Sequence, residues 1–225
     1  VSAGGAASGD RTAAASPPPD LGPPTTFVLL RHGATALTAH GRFSGSGARE
    51  DPPLAEAGRA QAAAVATYLR GTPVDTVVSS PLRRCRETAA ALGLPYAVEE
   101  DLRETDFGTW EGLTFTEARA QDPDAFAAWL AVPGAAPPGG ESFADVAVRV
   151  AAARDRLLAA HRGRTVLLVS HVTPLKTLLR LALGAPHTAL FRMDLAPASL
   201  SALAVWGDGN TTVRYLNNTA HLPPG

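Results

Sequence analysis

Arg31 and His32 stand side by side directly after the apolar run Phe27-Val-Leu-Leu30, with Gly33 next to them, where backbone can approach a ligand. A guanidinium and an imidazole presented together suit an anionic substrate attacked by a histidine nitrogen. The pattern returns twice. Ser79-Ser-Pro-Leu-Arg-Arg84 closes the segment Val74-Asp-Thr-Val-Val78, and Ser170-His171 closes Thr165-Val-Leu-Leu-Val169. Two arginines and two histidines gathered in one place would make a pocket for a dianion, most simply phosphate. Arginine's planar fork fits phosphate oxygens better than an ammonium does.

These groups meet only if the elements beneath them bring them together. Phe27–Leu30, Val74–Ser79 and Thr165–Val169 read as buried strands, with a shorter strand over Tyr96–Val98. Helices are expected over 54–70, 81–92, 143–160 (after Ser142) and 174–183. Thr114-Phe-Thr-Glu117 has the form of a capping box, so another helix begins there. Asp122-Pro123 interrupts it before a second segment that ends near Leu130. Leu200–Val205 and Thr212–Leu216 flank Gly207-Asp-Gly-Asn210 as a strand pair. Strands alternating with helices predict an α/β fold, with a mostly parallel central sheet covered on both faces as a three-layer α/β/α sandwich. In such sheets ligands bind beyond the carboxyl ends of the strands. All three polar segments fall there if their strands are neighbours.

Composition bounds the rest. The 225 residues are 45% hydrophobic and 18% charged, which suits one globular domain with an ample core. A net charge of −1 gives no global attraction to nucleic acid or to anionic membranes. No apolar run reaches membrane-spanning length. Cys85 is the only cysteine, so no intrachain disulfide is expected, and a reducing, cytoplasmic location is the default. Lys176 is the only lysine. Residues 1–26 are almost all Ala, Gly, Ser, Thr and Pro and lack the pattern of a signal peptide, so they read as a flexible linker ahead of a domain over 27–225. A tether to an absent partner domain is one reading of that linker; a cloning remnant is the other.

Taken in order, Arg31-His32-Gly33, the Ser79–Arg84 segment, Glu104 ahead of Phe107-Gly-Thr-Trp-Glu-Gly112, and Ser170-His171 resemble the histidine phosphatase (phosphoglycerate mutase-like) superfamily. The likeness runs from about residue 27 to 216. More narrowly, Glu104–Thr114 and Val169-Ser-His-Val-Thr-Pro-Leu-Lys-Thr177 are similar to the phosphatase domain of actinobacterial bifunctional ribonuclease HI/acid phosphatase proteins. The linker would then lead to a ribonuclease H domain, and nucleic acid would be bound by that domain rather than this one.

The resemblance implies roles. His32 would be the nucleophile, forming a phosphohistidine. Arg31, Arg84 and His171 would hold the phosphoryl oxygens, and Glu104 would protonate the leaving group and then serve the attacking water. No cofactor or metal is implied, because arginine and histidine supply the positive charge. Ser44 and Gly45, within Arg42-Phe-Ser-Gly45, would line the phosphate pocket, and Thr38 stands where many members carry an asparagine that donates to phosphate. Val172-Thr173 replaces the common Gly-Gly, so whether the Val172 amide reaches phosphate depends on the backbone that a β-branched residue adopts there.

The resemblance thus implies a metal-independent acid phosphatase acting on small phosphate monoesters, and it extends to α-ribazole phosphatases. A phosphoglycerate mutase-type phosphotransferase and a non-catalytic phosphate-binding module are the alternatives. Phe107–Gly112 has the phosphatase form, and Gly112–Gly140 holds only Arg119 as a basic residue, where mutases carry a basic insertion. Inactive relatives lose the first histidine or an arginine, and both are present. Trp129 and Phe126 are expected in the core rather than in a lid. Cys85, His40, His161, His187 and His221 are read as packing or surface residues.

Overall fold

The computed structural model describes residues 21–47 and 51–223. Strands β1 (Thr25–Arg31), β2 (Thr76–Ser79), β3 (Tyr96–Val98), β4 (Thr165–Ser170), β5 (Leu200–Val205) and β6 (Thr211–Asn218) form one sheet in the order β3-β2-β4-β1-β5-β6. The four strands from β3 to β1 are parallel to one another, and β5 runs antiparallel to both β1 and β6. The expected α/β sandwich is the observed one.

Strand periodicity builds both faces from one sequence run. Phe27 and Leu29 point to one side with Val166 and Leu168, while Val28 and Leu30 point to the other with Leu167 and Val169. Both sides are buried, so the strands carry no polar alternation until they end. Helices α6 (Phe143–Ala160) and α7 (Val172–Ala182) cover the first face, through Val146, Val150, Ala153 and Leu157 and through Leu175, Leu178 and Leu179. Helices α2 (Glu56–Tyr68) and α3 (Arg83–Ala91) cover the second with Val65, Cys85 and Ala89. Beyond the carboxyl ends, α4 (Phe115–Gln121) and α5 (Pro123–Ala131) carry a separate aromatic cluster with Phe43, Phe107, Trp110, Phe126, Trp129 and Phe143. A single helical turn, α1 (Ala36–Ala39), follows β1. Among the described residues no helix is long and apolar enough to cross a membrane.

Of the boundaries that differ from the expectation, two have a clear physical reason. The domain begins before residue 27, because Thr25 and Thr26 pair with Val205 and Ala204 of β5 and Thr26 also with Thr165 of β4. The Oγ1 of Thr25 accepts from the Gly163 amide as well. Composition assigned this β-branched pair to the linker, whereas the sheet edge it completes decides otherwise. Residues 1–20 of the expected linker lie outside the described residues. At the second boundary, α7 starts at Val172 rather than Pro174. Proline needs no amide partner anywhere in the first turn, where the helical donors have no intrahelical acceptor, so it sits at the third position without loss. The capping boxes at Thr114–Glu117 and Ser142–Asp145 are formed, and Asp122 separates α4 from α5 as the sequence implies.

Candidate active site

The strand ends are level. Arg31 is the register partner of Ser170, and Ser79 of Val169, so His32, Ser80 and His171 emerge together. The His32 amide donates to the Ser170 carbonyl (3.0 Å) and the Ser80 amide to that of Val169 (2.9 Å). The rings of His32 and His171 therefore meet, edge toward face, with centroids 5.1 Å apart. Gly33 makes a close approach, but to helix α2 instead of a ligand: a Cβ there would lie 2.4 Å from the Gly58 carbonyl oxygen. The Gly33 amide donates to Thr88 Oγ1 on α3, so the loop carrying His32 is held by both helices of that face.

His32 is buried, and its Nδ1 lies 2.7 Å from the Gly33 carbonyl oxygen, an atom that only accepts. Nδ1 therefore carries the proton and Nε2 keeps its lone pair. Burial, then the charges of Arg84 and Arg31, push this imidazole well below its ordinary range. The same causes in the same order, with His32 itself between the two arginines, lower His171. Ser80 Oγ accepts from the Leu82 amide and lies 2.7 Å from Nε2 of His171. Cys85 Sγ packs 3.3 Å from the same Nε2; burial pushes this thiol up, and its place is packing, as expected.

Arg84 is fully buried on α3. Its Nη2 donates to the carbonyls of Ser44 (2.8 Å) and Gly45 (3.2 Å), and Asp51 stands 3.6 Å from Nη1. Its Nε and Nη1, the Nε of Arg31 and the Oγ of Ser44 are buried without a hydrogen-bond partner among the described residues. Folded proteins rarely tolerate such a group of orphaned donors, and an anion with several oxygens would satisfy them together. Arg31 Nη1 donates to the Leu195 carbonyl, which fixes the guanidinium beside His32. Arg83 and Arg86 point outward, and Arg83 pairs with Glu87.

Glu104 reaches the site from the segment after β3 and is held there by α6. Arg149 Nη1 donates to the carbonyls of Asp101 (2.7 Å) and Arg103 (2.8 Å), its Nη2 donates to that of Glu104 (3.2 Å), and Glu141 receives Nε and Nη2. The Glu104 carboxylate accepts from the amides of Thr105 (2.9 Å) and, at the start of α7, Thr173 (3.4 Å). Arg149→Met is expected to leave three buried carbonyls unpaired and Glu141 with Arg103 as its remaining partner, lowering the unfolding free energy by about 3 kcal/mol. Urea denaturation measures it; a change within error would show that the clamp is dispensable.

These groups border a cavity of about 230 Å³. Arg31, His32, Thr38, Ser44, Glu104, Val172 and Lys176 contribute its polar lining, and Phe43, Phe107, Phe115, Trp129, Phe143 and Phe191 contribute an aromatic wall. Arg84 and His171 lie behind His32 rather than in the wall. Val172 has ordinary helical backbone, since among described non-glycine residues only Ala198 and Asn217 have positive φ. The β-branched residue therefore causes no strain, and its amide, the first of α7, has no intrahelical acceptor. Two expected ligands are differently employed. The Thr38 hydroxyl accepts from the Thr35 amide and donates to the Thr35 carbonyl as part of the α1 cap. The Gly45 amide donates to Glu111, whose carboxylate also takes the amides of Gly47 and Phe107. Glu111 thus braces this loop, and Trp110 is buried beneath it. Trp129 is both core, at 2% exposure, and cavity wall. Among the described residues no group of three or more His, Cys, Asp or Glu side chains is arranged to hold a metal ion.

Residues 27–219, with this strand-end site inside them, match the family described as the histidine phosphatase superfamily (branch 1). The chain belongs to the histidine phosphatase superfamily. It is 50% identical over 206 residues to the bifunctional protein Rv2228c of Mycobacterium tuberculosis, covering 89% of this chain and 56% of that protein. The chain thus spans about half the length of that relative. It is 32% identical over 201 residues to the adenosylcobalamin/alpha-ribazole phosphatase of Salmonella typhimurium, covering 87% of this chain and 98% of the relative. Among solved structures, a mycobacterial glucosyl-3-phosphoglycerate phosphatase in complex with VO3 superposes with a TM-score of 0.77 and 33% identity, over 87% of this chain and all of the other.

The sequence alone did not reveal two groups at the site. Arg149 sits in the apolar stripe of α6 between Val146 and Val150, and a charge inside such a stripe was the signal. Lys176 lies four residues after Val172, on the same helix face one turn along α7.

Proposed function

We propose that this chain is a phosphomonoesterase that hydrolyses small phosphate monoesters through a phosphohistidine on His32. The observation that supports it most is the neutral His32, with its proton fixed on Nδ1, set among buried donors that have no hydrogen-bond partner among the described residues. In the first step the Nε2 lone pair forms a bond to phosphorus while the bond from phosphorus to the ester oxygen breaks. Glu104, starting protonated, gives its proton to the departing alkoxide. Arg31, Arg84, His171 and the Val172 amide carry the charge on the phosphoryl oxygens. In the second step water attacks phosphorus, the N–P bond breaks, and Glu104 takes the water's proton. Inorganic phosphate leaves, and His32 is again neutral.

The need for a protonated Glu104 favours acid. The lowered His32 keeps its lone pair as pH falls below the ordinary imidazole range, near about 6.5. In ¹⁸O-water at about pH 5, which lies below that range, phosphate released from a monoester should carry one solvent oxygen. Transfer of the phosphoryl group to monophosphoglycerate without phosphate release would establish the mutase reading instead. Binding without either reaction would establish the non-catalytic module. The mutase is disfavoured because the wall contributed by 113–140 is aromatic, and Arg119 points to solvent. The match to half of a bifunctional relative supports the further reading that this domain is tethered to a second one; that the second is a ribonuclease H domain making any nucleic-acid contact, in the cytoplasm, rests on the sequence resemblance alone.

A further inference from the structure

The phosphoryl chemistry uses Arg31, Arg84, His32, His171 and Glu104 and leaves one charged group of the cavity without a task. Lys176, half-buried in the wall, makes no hydrogen bond or ion pair with any described residue. An ammonium partly withdrawn from water with no counter-charge in contact is unfavourable unless a ligand supplies one. Every other cation lining the cavity has a protein partner: Arg31 donates to Leu195, and Arg42 donates to the Gly112 carbonyl and Glu117.

Lys176 is one turn beyond Val172, about 6 Å along the helix axis from the first amide of α7. It lines the same cavity as Glu104, the group that would serve the leaving group, whereas Arg84 and His171 lie outside that lining. Next to it the wall is apolar, and Phe115 and Phe191 are 50% and 43% exposed although both line the cavity. Large rings left open to water at a cavity wall offer a stacking surface to whatever the leaving group brings.

We propose that Lys176 forms a second anion subsite on the leaving-group side, so that the preferred substrates are phosphate monoesters whose leaving group carries a carboxylate-like anion on a flat or apolar body. The proposal rests on the phosphatase reading and adds the class of substrate. Matched pairs test it: 2-, 3- and 4-carboxyphenyl phosphate against the corresponding carbamoylphenyl phosphates, which keep size and shape without the charge. In the intact chain, kcat/KM for the carboxylate should exceed that for the amide by about tenfold in at least one ring position, the ratio a single favourable charge contact supplies, and KM should carry most of it. Lys176→Met should bring that ratio close to one, and Lys176→Arg should keep it well above one. A ratio near one in the unaltered chain overturns the subsite while phosphate release from the amides upholds the phosphatase. A ratio that survives Lys176→Met also overturns it. Absence of phosphate release from both series overturns both readings.

Discussion

Replacing His32 by alanine should lower phosphate release by at least about 10⁴-fold, the scale at which removal of a covalent nucleophile is felt. The size follows from the site's division of labour. Arg31, Arg84 and the first amide of α7 can still bind the phosphoryl group, so KM or the affinity for inorganic phosphate should change far less than kcat. Ser80 and Cys85 are turned to His171, and burial holds the Cys85 thiol protonated, so neither replaces the imidazole. Rapid acid-free quenching with ³²P-labelled substrate should trap label on the unaltered chain and none on the variant. Turnover within tenfold of the unaltered chain would show that phosphorus is attacked by something other than His32.

Glu104→Gln should separate substrates by their leaving groups. An alkyl phosphate departs as a strongly basic alkoxide and needs the proton, so its turnover should fall by about 10² to 10⁴-fold. p-Nitrophenolate is stable without a proton, and its formation should fall much less. The glutamine keeps the shape and one acceptor oxygen, enough for the shorter bond from the Thr105 amide though not also for the longer one from Thr173, and a folding defect would not confine the loss to alkyl esters. An equal loss on both substrates would move Glu104 from proton donor to a structural or electrostatic part.

The strand ends could be read from sequence because fully buried parallel strands carry an unbroken apolar run, and the first polar residues after each run must sit at the carboxyl edge. Val169-Ser170-His171 and Leu30-Arg31-His32 are legible for that reason alone, and the register then puts them side by side. Glu104 was legible only through resemblance. It lies outside any periodic element, and its position depends on Arg149, 45 residues away in sequence, holding its carbonyl. The start of α7 was misplaced because proline was given its commonest helical position. Trp129 is expected in the core, and it is core and cavity wall at once. Lys176 gave no signal beyond being a single lysine, since the charges that isolate it come from loops whose approach is set by the whole fold.

The order of the sheet has a consequence for how the molecule is made. β4 lies between β2 and β1 but follows both in the chain by more than eighty residues. Until residue 170 has emerged from the ribosome, the two earlier strands have no partner between them, and each exposes an apolar edge that invites pairing with other chains. Helices α2 and α3 can shield one face of this unfinished sheet, though not the gap. The last strand to enter the centre also delivers His171 beside His32. Closing the gap and completing the catalytic centre are therefore one event, and a nascent chain that stalls before it would be both inactive and prone to aggregate.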